Sequence, residues 1–213
     1  MLLIGSCALK VQAPHLVRRV PLDIDLIGTY DEVMTFIKRN RASFNEVYPA
    51  FRGKKMIAKG KGAICEFEIA WSDSSGADVL ALASSDHQTQ KTDIMGESVQ
   101  VAGLDLLFFL KKSHRYLKNS PHFNKTMADY RVLREQGCAV RPEWADVYKK
   151  REKETYDYKH PRLDVKKDEF FKDDGIKYVF DHDTIHESMK HLERPAYTYF
   201  KRPNSEVMCD RGL

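Results

Sequence analysis

Two aspartates separated by one residue, Asp23 and Asp25, are well spaced to bind a divalent cation. They lie in an apolar run, residues 22–27, that alternates with period two and predicts a β-strand. Side chains at i and i+2 of a strand point to the same face, roughly 7 Å apart, so both carboxylates can reach one or two cations. Carboxylate oxygens are the ligands that Mg²⁺ prefers. The spacing therefore predicts a metal site on one face of this strand.

A Gly5-Ser6 pair separates a short apolar segment, residues 2–4, from a helical segment that begins at residue 7. Backbone N–H groups at a helix start and a nearby hydroxyl suit the phosphates of a nucleotide. Ser6 is also expected to cap this helix with its side chain. Together with the two aspartates, this turn predicts a site for a metal-bound nucleotide.

These residues carry a family resemblance. The segments Leu-Ile-Gly5-Ser6 and Asp23-Ile-Asp25-Leu resemble the hG[GS]…DhDh signature of the polymerase-β-like nucleotidyltransferase superfamily, over about the first seventy residues. That family has a third carboxylate on a later strand, in a pattern written h[DE]h. Here Glu66 and Glu68 both match it, with Glu in place of Asp.

The resemblance implies an α/β (α+β) fold, a small mixed sheet flanked by helices with a helical substrate-side extension. The implied reaction is transfer of a nucleoside monophosphate, assisted by Mg²⁺ or Mn²⁺ as the cofactor. Asp23 and Asp25 would hold the metals, and Glu66 or Glu68 would complete the site and assist deprotonation of an acceptor hydroxyl. The residues implied to contact the phosphates are Gly5 and Ser6, with positive charge added by the loop residues His15, Arg18 and Arg19.

Cationic side chains recur in the helical segments between residues 104 and 133. They loosely resemble the Lys and Lys-x-x-x-Asp pattern of antitoxin-like and aminoglycoside-modifying nucleotidyltransferase-fold proteins, which implies nucleotide binding. The residues concerned are Lys111 and Lys125, with His114, His122 and Asp129 as secondary candidates. The alternative interpretation is an ordinary solvated helix face.

A His-rich segment near the carboxyl end contains His182, Asp183 and His186. Histidines at i and i+4 of a helix share a face, a geometry that binds transition metals. This segment supports an alternative function, a metal-dependent phosphohydrolase that releases phosphate from nucleoside 5'-monophosphates. The simpler interpretation is a helix start at which aspartates serve as caps.

The elements that must position these residues form two predicted regions, a core at residues 1–100 and a helical region at residues 101–213. In the core, a basic strand and turn precede a strand that carries Glu66 and Glu68 on one face. The further segments are predicted as a helix at 30–40, a short strand at 79–83, a helix from 103, a helix at 125–136, an irregular charged connection at 149–167, and a strand and helix at 178–191.

Composition limits the class of protein. Of 213 residues, 42% are hydrophobic and 31% charged, which is typical of soluble globular chains. The net charge of +4 is too small to argue for nucleic-acid binding by itself. Four scattered cysteines and no long apolar stretch predict free thiols, a cytoplasmic location and no membrane partner. The expected partners are a nucleotide and an acceptor, either nucleic acid or protein; a non-catalytic nucleotide- or nucleic-acid-binding module is the remaining alternative.

Overall fold

The chain divides into two compact units. The computed structural model describes residues 1–17, 20–51, 53–114, 121–159, 200–201 and 209–210. Unit 1 comprises Met1–Gly103 with Arg194–Leu213, and unit 2 comprises Leu104–Glu193. In their described parts, unit 1 holds a β-sheet with three α-helices, and unit 2 holds three further α-helices.

The sheet of unit 1 is mixed. Its described strands are β1 (Leu2–Ile4), β2 (Ile24–Gly28), β3 (Phe44–Ala50), β4 (Lys55–Gly60), β5 (Ile64–Ile69), β6 (Gln90–Ile94), β7 (Glu97–Val101), β8 (Phe200–Lys201) and β9 (Cys209–Asp210). Their order across the sheet is β6-β7-β1-β2-β5-β4-β3-β8-β9. The pairs β1 with β7 and β2 with β5 are parallel, and the remaining pairs are antiparallel.

Strand β5 shows how the sequence pattern sets the two faces of the sheet. Its alternating residues Cys65, Phe67 and Ile69 are buried, whereas Glu66 and Glu68 are half-buried on the other face. Successive side chains of a strand point to opposite faces, so the apolar set contributes to the core. The two glutamates therefore project from one face, as the alternation predicts.

Helices cover both faces of the sheet. Helix α2 (Tyr30–Arg39) starts with a capping box, in which Thr29 and Glu32 exchange hydrogen bonds, and its Phe36 packs edge-on to Phe67 of β5 with ring centroids 5.4 Å apart. Helix α3 (Ser75–Ser85) begins against Glu68, the next residue of the same strand. Because Phe67 and Glu68 point to opposite faces, α2 and α3 lie on opposite sides of β5.

In the described part of unit 2, aromatic side chains pack between the helices. Its described α-helices are α4 (Leu104–Ser113), α5 (Pro121–Glu135) and α6 (Ala145–Lys159). The Phe109 ring packs edge-on to the rings of Trp144 and Tyr148, and Phe108 stacks on Tyr130 with centroids 4.9 Å apart. Aromatic pairs of this kind add to the stability that burial gives. They connect α4 to both α5 and α6.

The predicted fold class is confirmed: a mixed sheet is flanked by helices, and α4 to α6 follow its first seven strands in the chain. One predicted strand, residues 79–83, is wrong, because the segment belongs to α3. Its buried residues Val79 and Ala83 are four apart and share one helical face. Ser74 caps this helix by accepting a hydrogen bond from the Ala77 amide, a start signal that outweighs the short apolar run.

Two more expectations need correction. Ser6 does not cap the first helix, because α1 (Gly5–Gln12) starts two residues earlier than predicted, at Gly5, with Ile4 at the cap position. Residues 149–159 are not irregular but belong to α6, where Lys and Glu favour the helix and Arg151 is buried. The predicted segments at 160–167 and 178–191 lie outside the described residues.

Candidate functional site

Gly5 and Asp25 bring the Gly-Ser turn and the acidic strand into direct contact. Gly5 has φ +70°, a left-handed backbone conformation. A Cβ atom on Gly5 would lie 3.0 Å from Asp25 Cγ and 3.1 Å from Asp25 Cβ. Strand pairing explains this proximity, since Ile4 of β1 is the register partner of Asp25 on β2. The start of α1 therefore faces the Asp25 carboxylate.

Three carboxylates project from the same face of the central strands. Asp25 of β2 is the register partner of Glu66 of β5 in a parallel pair. Register partners on neighbouring strands, about 4.8 Å apart, point to the same face, and Glu68 joins them because it lies two residues after Glu66. We call Asp25, Glu66 and Glu68 the acidic face. Of the two glutamates, Glu66 is the one level with Asp25.

Lys55 of β4 places a positive charge on the acidic face. Its Nζ lies 2.8 Å from Glu66 Oε2, and 10% of the Lys55 side chain is exposed against 31% of Glu66. The same Nζ lies 5.5 Å from the centroid of the Phe51 ring, within the range of a cation–π contact. No motif in the sequence singles out Lys55. The available signal was its place in a basic segment that also carries apolar Met56 and Ile57.

Glu68 lies against the first turn of α3. A Cβ atom on Gly76, in that turn, would lie 3.0 Å from Glu68 Oε1. The amino-terminal end of a helix carries partial positive charge, which stabilises a carboxylate. The start of α3 therefore stabilises the negative charge of Glu68, whereas the Lys55 ammonium stabilises that of Glu66.

Asp23 precedes β2 by one residue and is connected to α1. The Cys7 thiol donates a hydrogen bond to the Asp23 carbonyl oxygen, with 3.2 Å between Sγ and O.

Close by on β5, burial raises the pKa of the Cys65 thiol to about 12, and negative charge on Cys7 and Asp25 contributes to the shift. A thiol with such a pKa stays protonated at neutral pH.

The acidic face can be tested against the metal ion that the family resemblance implies. In the parts of the chain that the structure describes, no three His, Cys, Asp or Glu side chains are grouped so as to hold a metal. Glu66, the carboxylate level with Asp25, is instead bonded to the Lys55 ammonium. In this arrangement the residues do not fit a three-carboxylate metal site.

Several of the predicted site residues lie in unit 2. Lys111 on α4 and Asp129 on α5 form an ion pair, with 2.9 Å between Nζ and Oδ2 and side-chain exposures of 13% and 9%. His114 and Lys125 are half-buried. His122 lies in α5, but its side chain is not among those described. The ion pair joins two helices, so Lys111 has a structural role of its own.

The remaining predicted site residues fall outside the described parts of the chain. They are the loop residues Arg18 and Arg19 and the His-rich residues His182, Asp183 and His186. Their proposed contacts with phosphate or metal stay predictions.

Comparisons with known proteins give two findings. A sequence profile described as "Domain of unknown function (DUF7275)" matches residues 106–213. Among solved structures, the crystal structure of the Megavirus polyadenylate synthase is similar to this chain with a TM-score of 0.37 and 12% sequence identity. That likeness covers 63% of this chain and 28% of the synthase chain. The curated proteins give no match.

One structural property bears on possible partners. Within residues 1–159, apart from the undescribed positions among them, no helix is both long and apolar enough to cross a bilayer.

Proposed function

This chain belongs to the family defined by the domain of unknown function DUF7275, and from the acidic face of unit 1 we propose that it is a nucleotidyltransferase. The matched range begins after the acidic face, so the proposal rests on the residues of that face. The observation that carries it is the contact of Gly5 with the Asp25 carboxylate. It brings the two halves of the signature, the turn and the acidic strand, next to each other, which supports a single site.

The start of α1 supplies the proposed phosphate contacts. α1 begins at Gly5, and the amino-terminal end of a helix, with its backbone amides and partial positive charge, favours phosphate oxygens. Gly5 and Ser6 would therefore bind the phosphates, and Asp23 and Asp25 would lie at the reacting end of the nucleotide.

The proposed reaction transfers a nucleoside monophosphate. An acceptor oxygen attacks the α-phosphorus of a nucleoside triphosphate and forms a new O–P bond. The bond from the α-phosphorus to the bridging oxygen breaks, and pyrophosphate leaves. The acceptor proton passes to a carboxylate of the acidic face. Mg²⁺ or Mn²⁺ remains the proposed cofactor, but no step is assigned to it because the described arrangement does not fit a three-carboxylate site.

The direct test incubates α-phosphate-labelled nucleoside triphosphates with the protein, a divalent cation and candidate nucleic-acid or protein acceptors. We expect pyrophosphate and a labelled acceptor from the wild type. Asp23→Asn and Asp25→Asn should each abolish transfer while the chain stays folded. The matched control is Asp31→Asn, an exposed position in the first turn of α2. Equal transfer by a folded Asp23→Asn/Asp25→Asn variant contradicts the proposal.

A second function, non-catalytic nucleotide binding, is favoured by the Lys55–Glu66 ion pair, which neutralises a carboxylate that transfer would use. Triphosphate binding without pyrophosphate release, for every acceptor tried, supports this alternative. The phosphohydrolase alternative depends on His182 and His186, which the structure does not describe. Release of inorganic phosphate from monophosphates, with no use of triphosphates, favours it over transfer.

A further inference from the structure

The ion pair between Lys55 and Glu66 lies where a metal would need its third ligand. Glu66 is the register partner of Asp25, so a cation shared by these two carboxylates must contact Glu66. The Lys55 ammonium is already 2.8 Å from Glu66 Oε2. An ammonium and a divalent cation repel each other at such short distances. Each of the two cations therefore weakens the binding of the other to Glu66.

The register of β4 against β5 fixes the position of Lys55. Lys55 of β4 is the register partner of Glu68 of β5, so its side chain projects from the acidic face. From there it reaches Glu66, two residues back along β5, while its Nζ also lies over the Phe51 ring. A lysine that is 90% buried has given up most of its hydration, and contacts with a carboxylate and a ring replace it.

We propose that Lys55 is the resident cation of the acidic face, holding Glu66 in an ion pair and thereby excluding it from metal coordination. Divalent cations then bind this face only weakly, through the remaining carboxylates, until the ion pair opens. The inference deepens the proposed function because it concerns the same face.

The test measures Mn²⁺ binding by calorimetric titration, with no nucleotide present. Lys55→Gln removes the charge but keeps a hydrogen-bond donor for Glu66. We expect this variant to bind Mn²⁺ at least about tenfold more tightly than the wild type, because a repelling charge is gone and Glu66 is released. Lys55→Arg, which keeps the charge, should bind like the wild type. The matched control is Lys59→Gln, on the same face of β4, where Nζ lies 5.3 Å from the Tyr48 ring centroid.

A double variant keeps the test decisive if Lys55→Gln does not fold. Lys55→Gln/Glu66→Gln replaces the ion pair with two neutral amides, an exchange that proteins often tolerate. If Glu66 is not a ligand in the wild type, the double variant should bind Mn²⁺ within about threefold of the wild type. A tenfold loss in the double variant overturns the proposal, since Glu66 would then be a ligand already.

The single variant gives the other decisive outcome. If folded Lys55→Gln binds Mn²⁺ no more tightly than the wild type, or does not bind it measurably, Lys55 is not an obstacle to metal and the proposal is wrong. Because Mn²⁺ affinity is measured without a nucleotide, this result is independent of the transfer assay. If no transfer is detected but Lys55→Gln binds Mn²⁺ tenfold more tightly than the wild type, the proposed function is rejected. The proposal that Lys55 is the resident cation then still stands.

Discussion

Asp25 lies so close to Gly5 that no side chain fits at residue 5 without displacing the carboxylate. A Cβ atom on Gly5 would lie 3.0 Å from Asp25 Cγ, and the φ of Gly5 is +70°. Either condition disfavours a side chain: the left-handed conformation costs about 1–2 kcal/mol for an L residue. The contact adds a second, independent penalty. The position therefore requires glycine for both backbone conformation and packing.

The two penalties can be separated by comparing Gly5→Ala with Gly53→Ala. Gly53 also has positive φ, +78°, but an added Cβ would meet no atom within 4 Å. We expect Gly53→Ala to lower the free energy of unfolding by about 1 kcal/mol. Gly5→Ala should lower it by about 1–3 kcal/mol more, because Asp25 must move. Urea unfolding measures both. Equal losses in the two variants would show that the close contact has no energetic weight.

The Lys55–Glu66 ion pair should appear as a coupling in stability. Removal of either charge leaves the other partly buried beside a neutral group. We expect Lys55→Gln and Glu66→Gln each to lower the free energy of unfolding by about 1–2 kcal/mol. The double variant should lose less than the sum of the two. A double-mutant cycle from urea unfolding gives the coupling energy, and strictly additive losses would contradict the ion pair.

The Lys111–Asp129 pair of unit 2 should contribute more than an exposed pair. Both of its side chains are largely buried, whereas Lys149 and Asp146 of α6 are 77% and 100% exposed at 3.9 Å. Lys111→Met removes the cation that lies 2.9 Å from a largely buried carboxylate, which costs about 3 kcal/mol. Lys149→Met, the control, should change stability by less than about 0.5 kcal/mol. Thermal and urea unfolding measure both, and similar effects in the two variants would argue against burial of the pair.

The Cys65 thiol should react slowly with alkylating reagents, and its raised pKa should lower the stability of the folded protein at alkaline pH. Burial raises the pKa of Cys65 from 9.0 to about 12. Between these values the unfolded chain loses a proton that the folded chain keeps. The free energy of unfolding must therefore fall as pH rises from about 9 towards 12, with no such contribution below pH 9.

Urea unfolding at pH 8 and pH 10.5 tests this dependence, and Cys65→Ala should reduce the loss of stability between the two. In a Cys209→Ser background at pH 8, iodoacetamide should label half-buried Cys7 before Cys65 and Cys138, both of which are buried. Rapid labelling of Cys65 in the folded chain would show that its thiol is accessible.

Local signals in the sequence predicted several elements well. The helix expected at residues 30–40 is α2, because Asp31 and Glu32 near its start and apolar residues at helical spacing all agree. The strand with Glu66 and Glu68 on one face followed from simple alternation. In both cases the determining interactions lie within a few residues, where a sequence pattern can be recognised directly.

Features that depend on distant segments were not accessible from the pattern. Alternation put both Glu66 and Glu68 on one face, but only the parallel register of β2 and β5 makes Glu66 level with Asp25. The Lys55–Glu66 pair depends on the register of another strand pair, β4 with β5. Residues 79–83 show a third reason: a short apolar run does not by itself distinguish a strand from a helix.

The central location of β1 affects how unit 1 can form during synthesis. Leu3 pairs with Leu26 on one side and with Val101 on the other, and Leu2 and Leu3 are fully buried. The second partner emerges from the ribosome only after most of unit 1 has been made, and such long-range pairing slows folding. A nascent or truncated chain that stops before β7 exposes an apolar strand edge, which favours aggregation. We therefore do not expect a fragment of unit 1 that lacks β6 and β7 to be soluble.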